Sequence, residues 1–159
     1  MFATKVVRSP EMVNKVLQSF YAAGGYDALV LPKLSIVNSE TGRVQAKFQV
    51  EKQHLNRLQS VHGGLLATAV DIGGSLALAS HGLFATGVST DINISYISGA
   101  KEGQTITLDA RCDKLGKTLA FTSIDLTADG RLVATGRHTK FVAQAYSHPE
   151  NELGRKKSH

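Results

Sequence analysis

Between Gly63 and about Ser80, the side chains of Leu65, Leu66, Ala69, Val70, Ile72, Leu76, Ala77 and Leu78 cover every side of a helical wheel. Such a helix is either buried all round in a protein or spans a membrane. The stretch is marginal in length for a bilayer, contains Gly63, Gly64, Gly73 and Gly74, and carries Asp71, all of which favour burial. It is therefore expected as the axis of a soluble domain, its small residues letting a sheet approach closely. Asp71 is the anomaly. A carboxylate on such a helix is costly unless paired or hydrogen-bonded, and no lysine or arginine lies at helical spacing around it. It either caps a neighbouring loop, bonds a second subunit, or marks a functional site, where buried ionisable groups cluster.

The rest of the chain reads as a sheet around that axis. Ser9-Pro10 opens a pattern in which Val13, Val16, Leu17 and Phe20 recur at helical spacing until Gly24-Gly25, predicting a short amphipathic helix over about residues 10–23. LVLPKLSIVN (29–38) and RVQAKFQV (43–50) read as two strands joined by SETG, the second alternating Val44, Ala46, Phe48 and Val50 with polar residues. After the central helix come four more strand-like segments, GVSTDINISYIS, QTITLDARCD, TLAFTSIDLTA and RLVATGRHTKFVA, with Asp129-Gly130 a strong tight-hairpin signal. Helix, two strands, buried helix, four strands is an α+β order with one antiparallel sheet of about six strands on the central helix. Residues 1–146 are expected to form a single domain. Residues 147–159, SHPENELGRKKSH, have little to bury and read as a flexible polar tail.

A chain of 159 residues has room for one domain with a real core and none for a second. Its single Cys112 can form no internal disulfide, and no Cys/His pair has zinc-ligand spacing. A reducing compartment is expected, cytoplasmic or mitochondrial rather than secreted, with no metal. The first twenty residues have no acidic side chain before Glu11, a weak import feature, but no apolar signal core. Cys112 follows Ile106, Leu108 and Ala110 in strand phase, as a small buried hydrophobe would. The formal charge of +5 favours anionic partners. Lysines and arginines are scattered rather than striped and no nucleic-acid motif is present, so nucleic acid is not expected; a phosphate-bearing small molecule suits the charge at least as well.

His62, Gly63 and Gly64 sit where the buried helix begins, with free N–H groups and the positive end of the helix dipole. That environment suits a carbonyl oxygen that becomes negative during acyl transfer. Two turns further on stands Asp71, and a polar Asn56 precedes the helix. With these residues in place, NRLQSVHGGLLATAVD (56–71), GVSTDINISYISGAKEG (87–103) and GKTLAFTSIDLTADGRLVATGRHTK (116–140) resemble the hotdog-fold acyl-coenzyme A (CoA) thioesterases, over roughly residues 10–143.

The resemblance implies a long helix wrapped by a curved antiparallel sheet, in homodimers that usually pair into homotetramers, with active sites between subunits. The thioester carbonyl would be held by the Asn56 side chain and the Gly63 backbone N–H. Asp71 would act as general base on a water, or as a nucleophile giving an anhydride. Ser89 would help place the water and His62 would orient Asn56 and its loop. Ser89 is read on the strand phase of Asp91, Asn93 and Ser95. His138 matches a histidine near the site, though an exposed strand residue is the competing reading. Arg57, Arg137 and Lys140 are the candidate CoA-phosphate contacts. No cofactor is expected, CoA being part of the substrate. Fatty acyl groups of medium to long chain are expected, aryl groups being the runner-up. The rival from another class is a module that binds acyl-CoA or fatty acid without cleaving it.

Overall fold

The computed structural model describes residues 10–153. In chain order they form α1 (Pro10–Ala22), α2 (Tyr26–Val30), β1 (Ser35–Glu40), β2 (Arg43–Gln49), α3 (Gly63–Ala79), β3 (Val88–Tyr96), β4 (Thr105–Leu115), β5 (Leu119–Ala128) and β6 (Arg131–Phe141). The six strands make one antiparallel sheet in the order β1-β2-β4-β5-β6-β3. α3 lies across its inner face, which is the hotdog arrangement the sequence led us to expect.

α3 buries residues on all sides, with Leu76, Ala77 and Leu78 fully covered. Facing it are Val44, Ala46 and Phe48 of β2, Ile106, Leu108 and Ala110 of β4, and Ile124 and Leu126 of β5, each at 3 % exposure or less. At about 2 kcal/mol for each buried leucine or isoleucine, this layer is the main source of stability. The glycines of α3 let the sheet close in: an added Cβ at Gly73 would stand 3.1 Å from the Ile124 side chain. α1 closes one side of the core through Met12, Val13, Val16 and Leu17. The outer sheet face is solvated, with Arg43 forked onto Asp109 and Arg111 making one bond to Asp125. Asp129 and Gly130 both take positive φ, as the tight β5–β6 hairpin requires.

The structure departs from the sequence reading in three places. The stretch 29–38 is not a continuous strand: Leu29 and Val30 end α2, and β1 starts only at Ser35. Pro32 has no N–H for a ladder, and the carbonyls of Leu31 and Leu34 instead accept bonds from the Tyr21 hydroxyl, both at 3.0 Å. The polar stretch from residue 147 is exposed in part but anchored as far as Leu153. Asn151, 4 % exposed, accepts from the N–H groups of Phe84 and Ala85 and donates to the Ala145 carbonyl, and Leu153 packs beside Leu83 and Val142. Residues 154–159, like the helix-opening Ser9, lie outside the described residues. The third departure concerns Ser89 and shapes the site. No helix among the described residues is long and apolar enough to cross a membrane.

Candidate active site

Two clusters of polar groups flank α3. The first is at its N-terminus. The connection from β2 is tied down by a bridge between Leu55 and Val61 and by His54, which is buried and accepts from the Glu51 N–H while its other nitrogen meets the Val30 carbonyl at 2.9 Å. Within that connection Asn56 closes a turn: its Oδ1 accepts from the N–H groups of Leu58 (2.9 Å) and Ser60 (3.2 Å), and Gln59 takes a left-handed φ of 61°. With Oδ1 so engaged, the amide hydrogens on Asn56 Nδ2 are left without an acceptor among the described residues. His62 is the N-cap of α3, its Nδ1 accepting from the Gly64 N–H at 2.8 Å. No hydrogen bond joins His62 to Asn56 among the described residues; the ring caps the helix end. Gly64 being capped, the N–H of Gly63 is the open donor of this first turn. Tyr96 holds the same turn through a bond from its hydroxyl to the Gly63 carbonyl.

The second cluster lies at the middle of α3. Asp71 opens into a cavity of about 290 Å³ that also takes in Ser89, Lys140, Ser75, Thr86 and Asp27. Its side chain is 50 % exposed, so its own chain only half-buries it. Desolvation nevertheless pushes the carboxyl above the ordinary carboxylate range, and Lys140 opposes that rise. The cation absent at helical spacing thus comes from β6. His138, fully buried, places Nδ1 3.1 Å from the Asp71 main-chain carbonyl and Nε2 2.7 Å from Ser89 Oγ. A carbonyl can only accept, which assigns the proton to Nδ1 and makes Nε2 the acceptor of the Ser89 hydroxyl. Burial, and then the Lys140 charge, push His138 down to about 4, so the ring is neutral at physiological pH. Its 3.8 Å approach to Asp71 Oδ1 is accordingly neither an ion pair nor a hydrogen bond.

Ser89 reaches this cluster because of a β-bulge. β3 pairs Ser89 with Lys140 and Asp91 with Thr139, one extra residue, Thr90, being inserted between them. Cross-strand partners share a face, so Ser89 joins Lys140, His138 and Ile92 on the inner side, whereas Asp91, Asn93 and Ser95 point outward. Strict alternation had put Ser89 with the outward set.

Among the proposed phosphate contacts, Lys140 is 4 % exposed and its ammonium donates to Ser75 Oγ (2.6 Å) and Thr86 Oγ1 (3.0 Å), so it is no surface clamp. Arg137 is exposed on the opposite face of β6, and Arg57 is exposed beside Asn56. His138 is not an exposed strand residue but the most buried polar group of the site. Sequence reasoning missed Asp27, Ser75 and Thr86, which three separate segments bring together. The position of Lys140 was readable, since it shares the face of His138 by simple alternation.

Residues 58–144 match the family described as Thioesterase superfamily. Human acyl-coenzyme A thioesterase 13 is 43% identical over 134 residues, covering 83% of this chain and 95% of that protein. The crystal structure of zebra fish thioesterase superfamily member 2 superposes with a TM-score of 0.74 at 42% identity, over 81% of this chain and 96% of that one. A Streptococcus pneumoniae thioesterase protein solved with coenzyme A gives a TM-score of 0.66 at 28% identity, over 70% of this chain and 89% of that one.

Proposed function

The chain belongs to the thioesterase superfamily, and on that premise we propose that it hydrolyses fatty acyl-CoA to free acid and CoA in a site completed by two copies of the chain. The observation that carries this reading is the division of the catalytic groups. The open donors of Asn56 and Gly63 sit at the start of α3, and Asp71 stands eight residues further along, about 12 Å at the rise of an α-helix. One thioester carbonyl cannot span that gap. A second copy supplies the missing half if the free edge of β3 pairs with its own counterpart, as the family resemblance implies. Val88, Tyr96 and Ile97 at and beside that edge are more than half exposed, an apolar surface that pairing would cover.

In this site Asn56 Nδ2 and the Gly63 N–H of one copy polarise the thioester carbonyl. Asp71 of the other copy takes a proton from water. Ser89 donates its hydroxyl hydrogen bond to His138 and keeps the proton, so its oxygen can accept the second hydrogen of that water and aim the lone pair at the carbonyl carbon. The water oxygen bonds to carbon, the C–S bond of the tetrahedral intermediate breaks, and the departing CoA sulfur recovers the proton from Asp71. The position of Ser89 favours this route over direct attack by Asp71. No step needs a metal. A cavity of about 290 Å³ between α2 and the start of α3, walled by Leu29, Val30 and Leu65 together with Tyr26, Gln53 and His62, supports an acyl chain of medium to long length. Arg57 stays a candidate for the phosphates, and pairing of two dimers into a tetramer is part of the same reading.

The test is release of free CoA thiol from a ladder of acyl-CoAs, acetyl to stearoyl, with phenylacetyl-CoA beside them. Turnover that peaks at medium to long chains is the expected result. Saturable binding with no thiol released from any of them defeats the reading in favour of a binding module.

A further inference from the structure

The Asp71 cavity contains a buried cation that hydrolysis, as written above, does not use. Lys140 is 4 % exposed, and its ammonium is fixed between Ser75 of α3 and Thr86 of the segment before β3. Both partners are neutral hydroxyls. They orient the charge without cancelling it, and a buried ammonium needs an anion near it. Two carboxylates share its cavity, Asp71 from α3 and Asp27 from α2. The other elements packed there add no further cation among the described residues: α1 contributes Phe20, β6 the neutral His138, and Asp91 of β3 is a carboxylate that acts on His138.

We propose that Lys140 is a positioning residue, the fixed counter-charge that keeps the Asp71 carboxylate ionised beside Asp27 and when a bound substrate displaces water from the cavity. The proposal rests on reading Asp71 as the group that takes the proton. The electrostatics agree with the geometry. Burial pushes the Lys140 ammonium down to about 8 and Asp71 pushes it up, while desolvation raises Asp71 and Lys140 lowers it. Asp27 is raised by desolvation and then by Asp71, so the two carboxylates repel each other across the cavity. A closing substrate adds desolvation to Asp71, and a charge already held by two hydroxyls needs no rearrangement to oppose it.

The coupling between two titrating groups is reciprocal, and this allows a test that does not depend on turnover. Carbon-13 NMR follows the Asp71 carboxyl and the Lys140 Cε, each assigned by its disappearance in Asp71→Asn or Lys140→Met. In Lys140→Met the Asp71 midpoint is expected to rise by about one unit, the low end of what a nearby opposite charge does, and in Asp71→Asn the Lys140 midpoint is expected to fall by a like amount. The acid limb of kcat/KM in Lys140→Met moves up with Asp71, which loss of packing alone would not do. If both midpoints stay where they are, the proposal is overturned. If Lys140→Met does not fold, the Lys140 midpoint in wild type and Asp71→Asn decides the matter alone. A wild type that shows the coupling but cleaves no acyl-CoA defeats the proposed function and leaves the pairing of charges intact.

Discussion

If Asp71 is the proposed general base, Asp71→Asn is expected to lower kcat for acyl-CoA hydrolysis by about a thousandfold, the middle of the range that a positioned general base supplies. The exchange is close to isosteric at a side chain that its own chain only half-buries, so packing is conserved and the loss is chemical. It does not lower thermal stability. Folding raises the Asp71 carboxyl above its unfolded value, mainly by desolvation. A carboxyl raised on folding binds its proton more tightly in the native state, so stability falls as pH climbs from the unfolded pKa through the folded one. At neutral pH the ionised side chain is a net cost to folding, and the neutral asparagine removes it. The expected pair of results is a lost kcat with an unchanged or higher Tm, read by thiol release and by thermal melts of the same preparations. In the wild type the acid limb of kcat/KM lies above the ordinary carboxylate range. No inflection between pH 6 and 7 belongs to His138, which burial holds at about 4.

The largest effect on folding is expected at Gly74. A Cβ there would stand 2.4 Å from His138 Nδ1 and 2.8 Å from Thr122 Oγ1. Neither neighbour can give way cheaply. His138 is anchored at both ring nitrogens, and Thr122 donates to the His138 carbonyl at 2.7 Å. Gly74→Ala must therefore lift α3 from β5 and β6 or break the Ser89–His138 bond, at a cost of about 2–3 kcal/mol. For a domain of this size that is a drop in Tm of about 5–10 °C. Activity falls with it, because Ser89 loses the acceptor that fixes its hydroxyl. Gly25 shows the contrast, since nothing lies within reach of a Cβ added there.

Much of this architecture was legible wherever one local pattern decided the outcome. The all-round apolar wheel from Leu65 to Leu78 could only be a buried helix once Asp71 and the glycines excluded a bilayer, and the Asp129-Gly130 hairpin announces itself in two residues. The failures occur where tertiary contacts override local preference. The apolar run at 29–34 looks like a strand, but Pro32 and the Tyr21 hydroxyl redirect its backbone groups. Asn151 is polar and near the C-terminus, yet three of its hydrogen-bonding positions are taken by main chain from two other segments. The bulge at Thr90 leaves no mark on composition, and it alone turns Ser89 toward His138. Asp71 itself was visible as an anomaly, whereas its neighbours Asp27, Ser75, Thr86 and Lys140 meet only in the folded chain.

The proposed division of the catalytic groups along α3 is tested most directly by mixing two variants expected to be inactive. Asn56→Asp keeps the Oδ1 bonds to Leu58 and Ser60 but loses the amide donor, and it leaves Asp71 untouched. Asp71→Asn leaves Asn56 untouched. Each variant alone has no intact site. After co-refolding in equal amounts, half of the dimers pair one variant with the other, and in a two-fold symmetric dimer one of their two sites joins the good Asn56 to the good Asp71. Recovery of about a quarter of wild-type activity is the predicted result. A mixture no more active than its parents, with mixed dimers shown to be present, would contradict a site shared between two chains.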